Sequence, residues 1–445
     1  MPTNLELPVE TFEQFMLAGD SPEFPMSFVF EFELAGRMDL SRLNSAISLC
    51  AAHHPLLFSV IDEERKNWRF DRELIPPVKS VTGGYHDELR IDLRREGGLR
   101  VVVSESNSTP HKIGFIFHHA CVDGLGALQF VKDLAEAYES GESSKLESGS
   151  SPGDSIQYLR RYRNSGGGNR FLHVLRWPID AVGMLWALEM VLNRPVAIEP
   201  EVPIGSRNDR AVGDGKVTRH CSSVNISRVL TPEQSATVKQ QCKAAGQSLN
   251  DRMMESFFRA IEEWNARFHP ANSGGLIRLM IPMSLRRRPS ESAANMVAMV
   301  NFDRKAGRWR SPNWFRRILK LEMLAVKTIR AGVTANRYLQ LQKLFLGRWP
   351  MQTDRSRCYA SCVVSNLGDL AAAFGQKPGE AIKFGPVPVN RFQVIALLRP
   401  HSNVFFCLFS HLGRLNLNVT FNSNVLTGEQ VEFLLDAGVR RLLSE

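Results

Sequence analysis

The 445-residue sequence predicts an α/β (α+β) protein of two lobes, each a mixed β-sheet with flanking helices. Three observations carry that expectation. The chain exceeds the length, roughly 250–300 residues, at which a single hydrophobic core stops growing. Period-two and period-3.6 apolar patterns occur in both halves, the marks of strands and amphipathic helices. A hydrophobic content of 43% with 23% charged residues is that of a globular chain, which excludes a disordered or fibrous one.

Taken in order, Phe28, Phe30, Phe32 and Leu34 alternate with Val29, Glu31 and Glu33, predicting a strand with one buried face. Leu99 to Val103 and Ile113 to Phe117 predict two more strands. After Gly124 the period changes: Leu125, Leu128, Val131, Leu134, Ala135 and Tyr138 form one stripe of a helix. Residues 140–169 are rich in Gly and Ser and read as a mobile linker. Residues 171–192 are apolar but contain Arg176, Pro178, Asp180 and Glu189. Those residues argue against a membrane span and for a bent helix on the surface or between lobes. Thr231-Pro232-Glu233-Gln234 is a capping box with Gly246 as a stop, and Met253, Met254, Phe257, Phe258, Ile261 and Trp264 are the apolar face of the next helix. Leu415, Leu417, Val419 and Phe421 predict a strand. Thr427 caps a last helix that buries Val431, Leu434, Leu435, Val439 and Leu442. The expected division is a lobe over 1–165, a linker with an amphipathic segment over 166–205, and a lobe over 206–445.

Charge is unevenly spread. Residues 1–150 carry 14 Lys/Arg against 24 Asp/Glu, and the remainder 41 against 22. A basic second half suits an anionic partner: coenzyme A phosphates, an acidic carrier protein, or a weak contact with an anionic membrane. Nucleic acid is not expected, because no nucleic-acid motif accompanies the charge. Arg304, Lys305, Arg308, Arg310, Arg316, Arg317 and Lys320 interleave with Trp309, Trp314 and Phe315, either as a phosphate or bilayer grip or as a solvated helix face. Trp177 and Trp186 could add apolar insertion at such a bilayer. Seven cysteines without framework spacing read as reduced, and Met1 to Glu6 shows no signal-peptide pattern, so a cytoplasmic location is expected, with peripheral contact at the inner face of the membrane as its extension.

The chemistry concentrates in His118-His119-Ala120-Cys121-Val122-Asp123-Gly124, at a strand-to-helix turn. Such a turn can present an imidazole to a cleft, with the carboxylate fixing a ring or a backbone and the glycine permitting a tight bend. A metal reading fails on geometry: adjacent histidines on a strand point apart, and Cys358 and Cys362 have no second pair. Cys121 has no activating neighbours in the sequence and reads as packing.

This run resembles the His-His-x-x-x-Asp-Gly motif of the coenzyme-A- and carrier-dependent acyltransferase superfamily, which includes chloramphenicol acetyltransferase, nonribosomal peptide condensation domains, and wax ester and diacylglycerol synthases. Further likenesses run along most of the chain. They are the helix and His54-Pro55-Leu56 strand start, Ser248-Leu249-Asn250-Asp251, Ile281-Pro282-Met283-Ser284-Leu285-Arg286 with Asn295 downstream, and Val364-Ser365-Asn366-Leu367-Gly368. The Asp-Phe-Gly-Trp-Gly segment of plant alcohol acyltransferases is absent, which argues against that branch.

The resemblance implies two chloramphenicol-acetyltransferase-like lobes with an active-site channel between them, and acyl transfer from a thioester to a hydroxyl or amine. His119 is then the general base, while His118 is structural and Gly124 leaves room for backbone or substrate. The family's role for Asp123 is a structural pair with an arginine of the other lobe, here Arg286; catalytic orientation is the second reading. Ser365 and Asn366 either line the channel and bind substrate or simply form a turn. No bound cofactor and no metal are implied; acyl-coenzyme A or a phosphopantetheinyl thioester is the co-substrate. A free-standing condensation enzyme and a catalytically inactive binding module of the same fold are the alternatives.

Overall fold

The computed structural model describes residues 6–81, 88–104, 111–141, 192–202, 221–286, 292–307, 311–328 and 331–444. The expected lobe boundaries at 165 and 205, the Gly/Ser linker beyond Gly141, and the apolar segment up to residue 191, with Trp177 and Trp186, lie outside these residues. So do Arg308, Trp309 and Arg310.

The first half of the chain supplies β1 (Glu6–Pro8), α1 (Thr11–Gly19), β2 (Ser27–Leu34), α2 (Leu40–Cys50), β3 (Ser59–Asp62), β4 (Asn67–Phe70), β5 (Lys79–Val81), β6 (Leu99–Ser104), β7 (His111–His118) and α3 (Gly124–Ser140). The second half supplies β8 (Ser223–Val229), α4 (Pro232–Ala244), α5 (Leu249–Phe268), β9 (Leu276–Ser284), β10 (Val297–Lys305), α6 (Pro312–Thr328), α7 (Ala331–Leu346), α8 (Pro350–Thr353), β11 (Cys362–Asp369), α9 (Leu370–Ala373), β12 (Lys383–Phe384), β13 (Val387–Ile395), β14 (Val404–His411), β15 (Arg414–Asn422) and α10 (Gly428–Leu443).

These strands form two six-stranded mixed sheets, β12-β13-β2-β7-β6-β5 and β10-β9-β11-β14-β15-β8, with a small β1-β4-β3 sheet beside the first. Each large sheet has its own buried core. Helix starts follow local chemistry. Thr231 with Gln234, Ser248 with Asp251, and Thr427 with Gln430 each form a reciprocal capping box, satisfying amide groups that have no partner within the helix. Gly246, at φ 56°, follows the end of α4, where a side chain would be strained.

Two elements differ from expectation. β12 and β13 fall within the span assigned to the second lobe, yet they extend the first sheet: β13 runs antiparallel to β2, with Phe392 opposite Phe32. Phe392 packs on Phe30, Phe32 and Phe409, so its aromatic face joins the two halves. Strand periodicity tells which residues share a face but not which sheet receives them. β2, expected to bury one face, is buried along nearly its whole length; Glu31 is only 8% exposed and is met by Lys112 at 3.2 Å, so the alternate face is covered as well.

The sheets are also stitched together by hydrogen bonds. Asn418 Oδ1 accepts from the Val394 amide at 3.0 Å, and Thr420 Oγ1 accepts from the Ala396 amide at 3.0 Å and donates to the Val394 carbonyl at 3.3 Å. All these groups are buried, where an unmade bond costs about 1–3 kcal/mol. Thr420→Val keeps the shape and removes the bonds. It is expected to lower stability by that amount, read as a shifted urea midpoint at constant slope; an unchanged midpoint would show that the stitch carries no net energy.

Candidate active site between the lobes

β7 ends at the histidine pair, and the backbone separates the two rings. His118 N–H continues the sheet by donating to the Gly98 carbonyl at 2.9 Å, whereas His119 N–H turns to the Met26 carbonyl at 2.7 Å. Adjacent residues at the end of a strand face opposite ways. His118 is buried with Nε2 3.6 Å from the Asp20 carboxylate and Nδ1 accepting from the Ala120 amide at 3.1 Å. Burial pushes the Asp20 carboxyl up, but His118 and the Met26 amide outweigh it and hold the group below its usual range.

His119 lines a cavity between the two sheets, packed edge-on against Phe28 at 5.2 Å. Burial pulls its pKa below the ordinary histidine value, with only partial recovery from a ring hydrogen bond to its own carbonyl and from the Asp123 charge. Asn295 Nδ2 donates to the same carbonyl at 2.6 Å and lies 3.3 Å from Nδ1, holding the turn from the other lobe.

Asp123 is the N-cap of α3: Oδ1 accepts from the Gly126 amide at 2.8 Å. Its Oδ2 accepts from Arg286 Nη1 at 2.5 Å and from the Met296 amide at 2.7 Å. Arg286 Nη2 donates to the Ala294 carbonyl at 2.6 Å. The two side chains are 6% and 4% exposed, so this is a desolvated ion pair between the lobes. Gly126 must be glycine here, since a Cβ would stand 2.5 Å from Arg286 Nη2 and 3.0 Å from the Ala294 carbonyl. His54 extends the seam: its Nδ1 accepts from the Ala293 amide at 3.1 Å, and its Nε2 meets Asp133 at 2.9 Å.

The cavity has an empty volume of about 1020 Å³, including its mouth. Most of its wall is apolar, with Phe15, Met26, Phe28, Met280, Met299 and Phe405 among the lining residues; the polar positions are His119, Asp123, Gln352, Ser365, Arg399 and Ser402. Gly124 also lines it, and a Cβ there would stand 3.1 Å from Leu367. Of the pair expected to bind substrate, Ser365 faces the cavity but Asn366 does not. The Asn366 amide donates to Asn250 at 2.5 Å and its carbonyl oxygen accepts from Gly368 N–H at 2.8 Å, because neighbouring residues on β11 alternate in direction. Cys121 is buried, with Gly98 so close that a Cβ there would come within 2.2 Å of Sγ.

Asn295, Gln352, Arg399 and Ser402 were not singled out as site residues from the sequence. Asn295 carried a faint signal, its spacing after Arg286; the others lie in no recognisable pattern. In the basic stretch, Arg304 pairs with Glu322 and covers Phe258 and Phe315, and Arg316 pairs with Glu255. These two cations are committed within the chain, Arg304 on β10 and Arg316 on α6. Among the described residues, no helix is long and apolar enough to cross a membrane.

Comparison with known proteins agrees with this architecture. A family model described as alcohol acetyltransferase matches residues 95–307. The chain is similar to the condensation domain from Monacolin K polyketide synthase MokA (TM-score 0.66, 11% identity, 99% of this chain and 97% of that one). It is also similar to the epimerization domain from the third module of tyrocidine synthetase B (TM-score 0.64, 12% identity, 99% and 97%). Both likenesses are of fold. In sequence it is 23% identical over 232 residues to the hybrid PKS-NRPS synthetase iccA of Talaromyces variabilis, covering 49% of this chain and 5% of that protein. It is 24% identical over 284 residues to the uncharacterized protein Rv2305 of Mycobacterium tuberculosis, covering 61% of this chain and 60% of that protein. Its matches thus span less than two thirds of these curated relatives. The family model thus matches a stretch that includes the histidine pair, Asp123 and Arg286, and the solved structures show that the fold is shared with condensation and epimerization domains.

The Asp123–Arg286 contact makes a stability prediction. Removing one partner strands a buried charge and typically costs about 3–5 kcal/mol. Asp123→Ala and Arg286→Met are each expected to destabilise by that order. The double variant is expected to lose less than their sum, read from urea unfolding of all four proteins. Additive losses would mean that the two groups are not energetically coupled.

Proposed function

We propose that the chain transfers an acyl group from a thioester to a hydroxyl or amine, with His119 as general base. The observation that carries this reading is an imidazole in an apolar interlobe cavity, where burial lowers its pKa and favours the neutral form. The unprotonated ring nitrogen takes the proton from the acceptor O–H or N–H as that oxygen or nitrogen bonds to the thioester carbonyl carbon. The resulting oxyanion collapses, the C–S bond breaks, and the imidazolium returns its proton to the leaving thiolate. No acyl-enzyme is required, because the thioester is already activated. Ser365 is assigned to hydrogen-bonding the acyl oxygen. Asp123, Arg286 and Asn295 act as positioning residues that hold the histidine turn.

The donor is read as acyl-coenzyme A, supported by the alcohol acetyltransferase match. A carrier-protein donor is the second reading, supported by the match to a hybrid PKS-NRPS synthetase. Turnover of acyl-coenzyme A and, separately, of an acylated carrier protein with mixed alcohols and amines, followed by product mass spectrometry, separates the two; no turnover with either donor would favour a binding module. His119→Ala is expected to lower kcat/KM by about 10²- to 10⁴-fold with the fold retained; full activity would remove His119 from the mechanism.

The pH profile supplies a second check. The active form is neutral His119, and burial depresses its pKa below about 6.5. Activity is therefore present above pH 6.5 and lost as pH falls through a lower apparent value. An acid limb in kcat/KM centred above 6.5 would contradict a desolvated base.

A further inference from the structure

The His119 cavity has a second polar centre that the proposed chemistry does not use. Arg399 lines it, and also lines a smaller adjoining cavity of about 480 Å³ that shares Met280, Met351, Gln352, Val363 and Ser402 with the first. The guanidinium donates to two neutral acceptors, the Phe24 carbonyl at 3.2 Å and Gln352 Oε1 at 3.0 Å. Among the described residues no carboxylate lies within ion-pair distance of it. Asp20, whose charge it feels, is engaged by His118 and the Met26 amide. Burial foremost, then the nearby Arg355, pull the Arg399 pKa down to about 10, which marks a cation short of neutralising charge.

Beside it, Ser402 is only 8% exposed, and its hydroxyl is buried without a hydrogen-bond partner. Ser402 N–H donates to the Arg399 carbonyl at 2.9 Å, so one tight turn delivers both side chains to the cavity. His401 within that turn adopts φ 60°, and its ring is pinned to Glu199 at 2.9 Å. Gln352 and Arg399 pack against Gly19, where a Cβ would collide with both side chains. A half-buried cation with spare donors and a buried hydroxyl with no partner both leave binding energy unused.

We propose that Arg399 and Ser402, with Gln352 orienting the guanidinium, form a subsite that takes a carboxylate carried by one of the substrates. The rest of that substrate lies along the apolar wall toward His119. One guanidinium offers a planar pair of donors and one positive charge, which suits a carboxylate better than a doubly charged phosphate. Substrates with an apolar body and a free acid group, such as hydroxy acids or amino acids as acceptors, fit this pattern. The inference rests on the acyl-transfer reading for its meaning, but binding can be measured without turnover.

The test is calorimetric titration of the purified chain with hydroxydecanoic acid, its methyl ester, and decyl phosphate. The acid is expected to bind about tenfold tighter than the ester, the scale of one charge-assisted hydrogen bond, and tighter than the phosphate. Arg399→Met should erase the difference between acid and ester, and Ser402→Ala should weaken acid binding while leaving the ester unchanged. Equal binding of acid and ester by the unaltered chain would overturn the subsite, as would a preference that survives Arg399→Met, or tighter binding of the phosphate. If Arg399→Met fails to fold, the unaltered chain's ratio and Ser402→Ala decide. A chain that keeps the acid preference but transfers no acyl group retains the subsite and loses the proposed reaction; the reverse result does the opposite.

Discussion

The Asp123 carboxylate is the group on which the rest of this site depends. It caps α3 through Gly126, meets Arg286 from the second lobe, and accepts the Met296 amide. Each task alone is ordinary, but together they set the helix start, the approach of the lobes and the path of residues 292–296. That path then delivers Asn295 to the His119 carbonyl and Ala293 to the His54 ring. A buried carboxylate is tolerated only when its oxygens are fully met. The geometry of the interlobe seam is therefore specified by the need to neutralise one charge.

The histidine pair shows how a strand end divides labour. One ring faces Asp20 and the outer side of the first sheet, where hydrogen bonds fix the turn. The other faces an apolar cavity, where desolvation keeps it neutral. Phe28 and the methionines around His119 supply that desolvation, and Asn295 holds the His119 carbonyl from the second half of the chain. Basicity is lowered and orientation gained by the same burial.

The swap of β13 into the first sheet gives the cavity its far wall. Val394 and Ala396 line it from this strand and its end, while their amides are held by Asn418 and Thr420 of the second sheet. The chain then runs through the Arg399–Ser402 turn into β14. Cavity shape and cavity polarity thus come from one continuous crossing between lobes, which couples substrate fit to the integrity of the interface.

Much of this was legible in the sequence, for reasons of local physics. Strands, capped helices and the strand-to-helix turn at His118–Gly124 follow from period, capping chemistry and glycine. Family resemblance named His119, Asp123 and Arg286 together. Other features are set by contacts between residues far apart in the chain. The assignment of β12 and β13 to the first sheet depends on which edge their aromatic face can cover. The direction of Asn366 away from the cavity depends on the pleat of β11 and on Asn250. The roles of Arg399, Ser402 and Gln352 depend on three distant segments meeting at one wall. Periodicity within a segment determines what it forms and which residues share a face; only the packed structure decides what that face meets, because burial and charge neutralisation are properties of neighbours, not of sequence position.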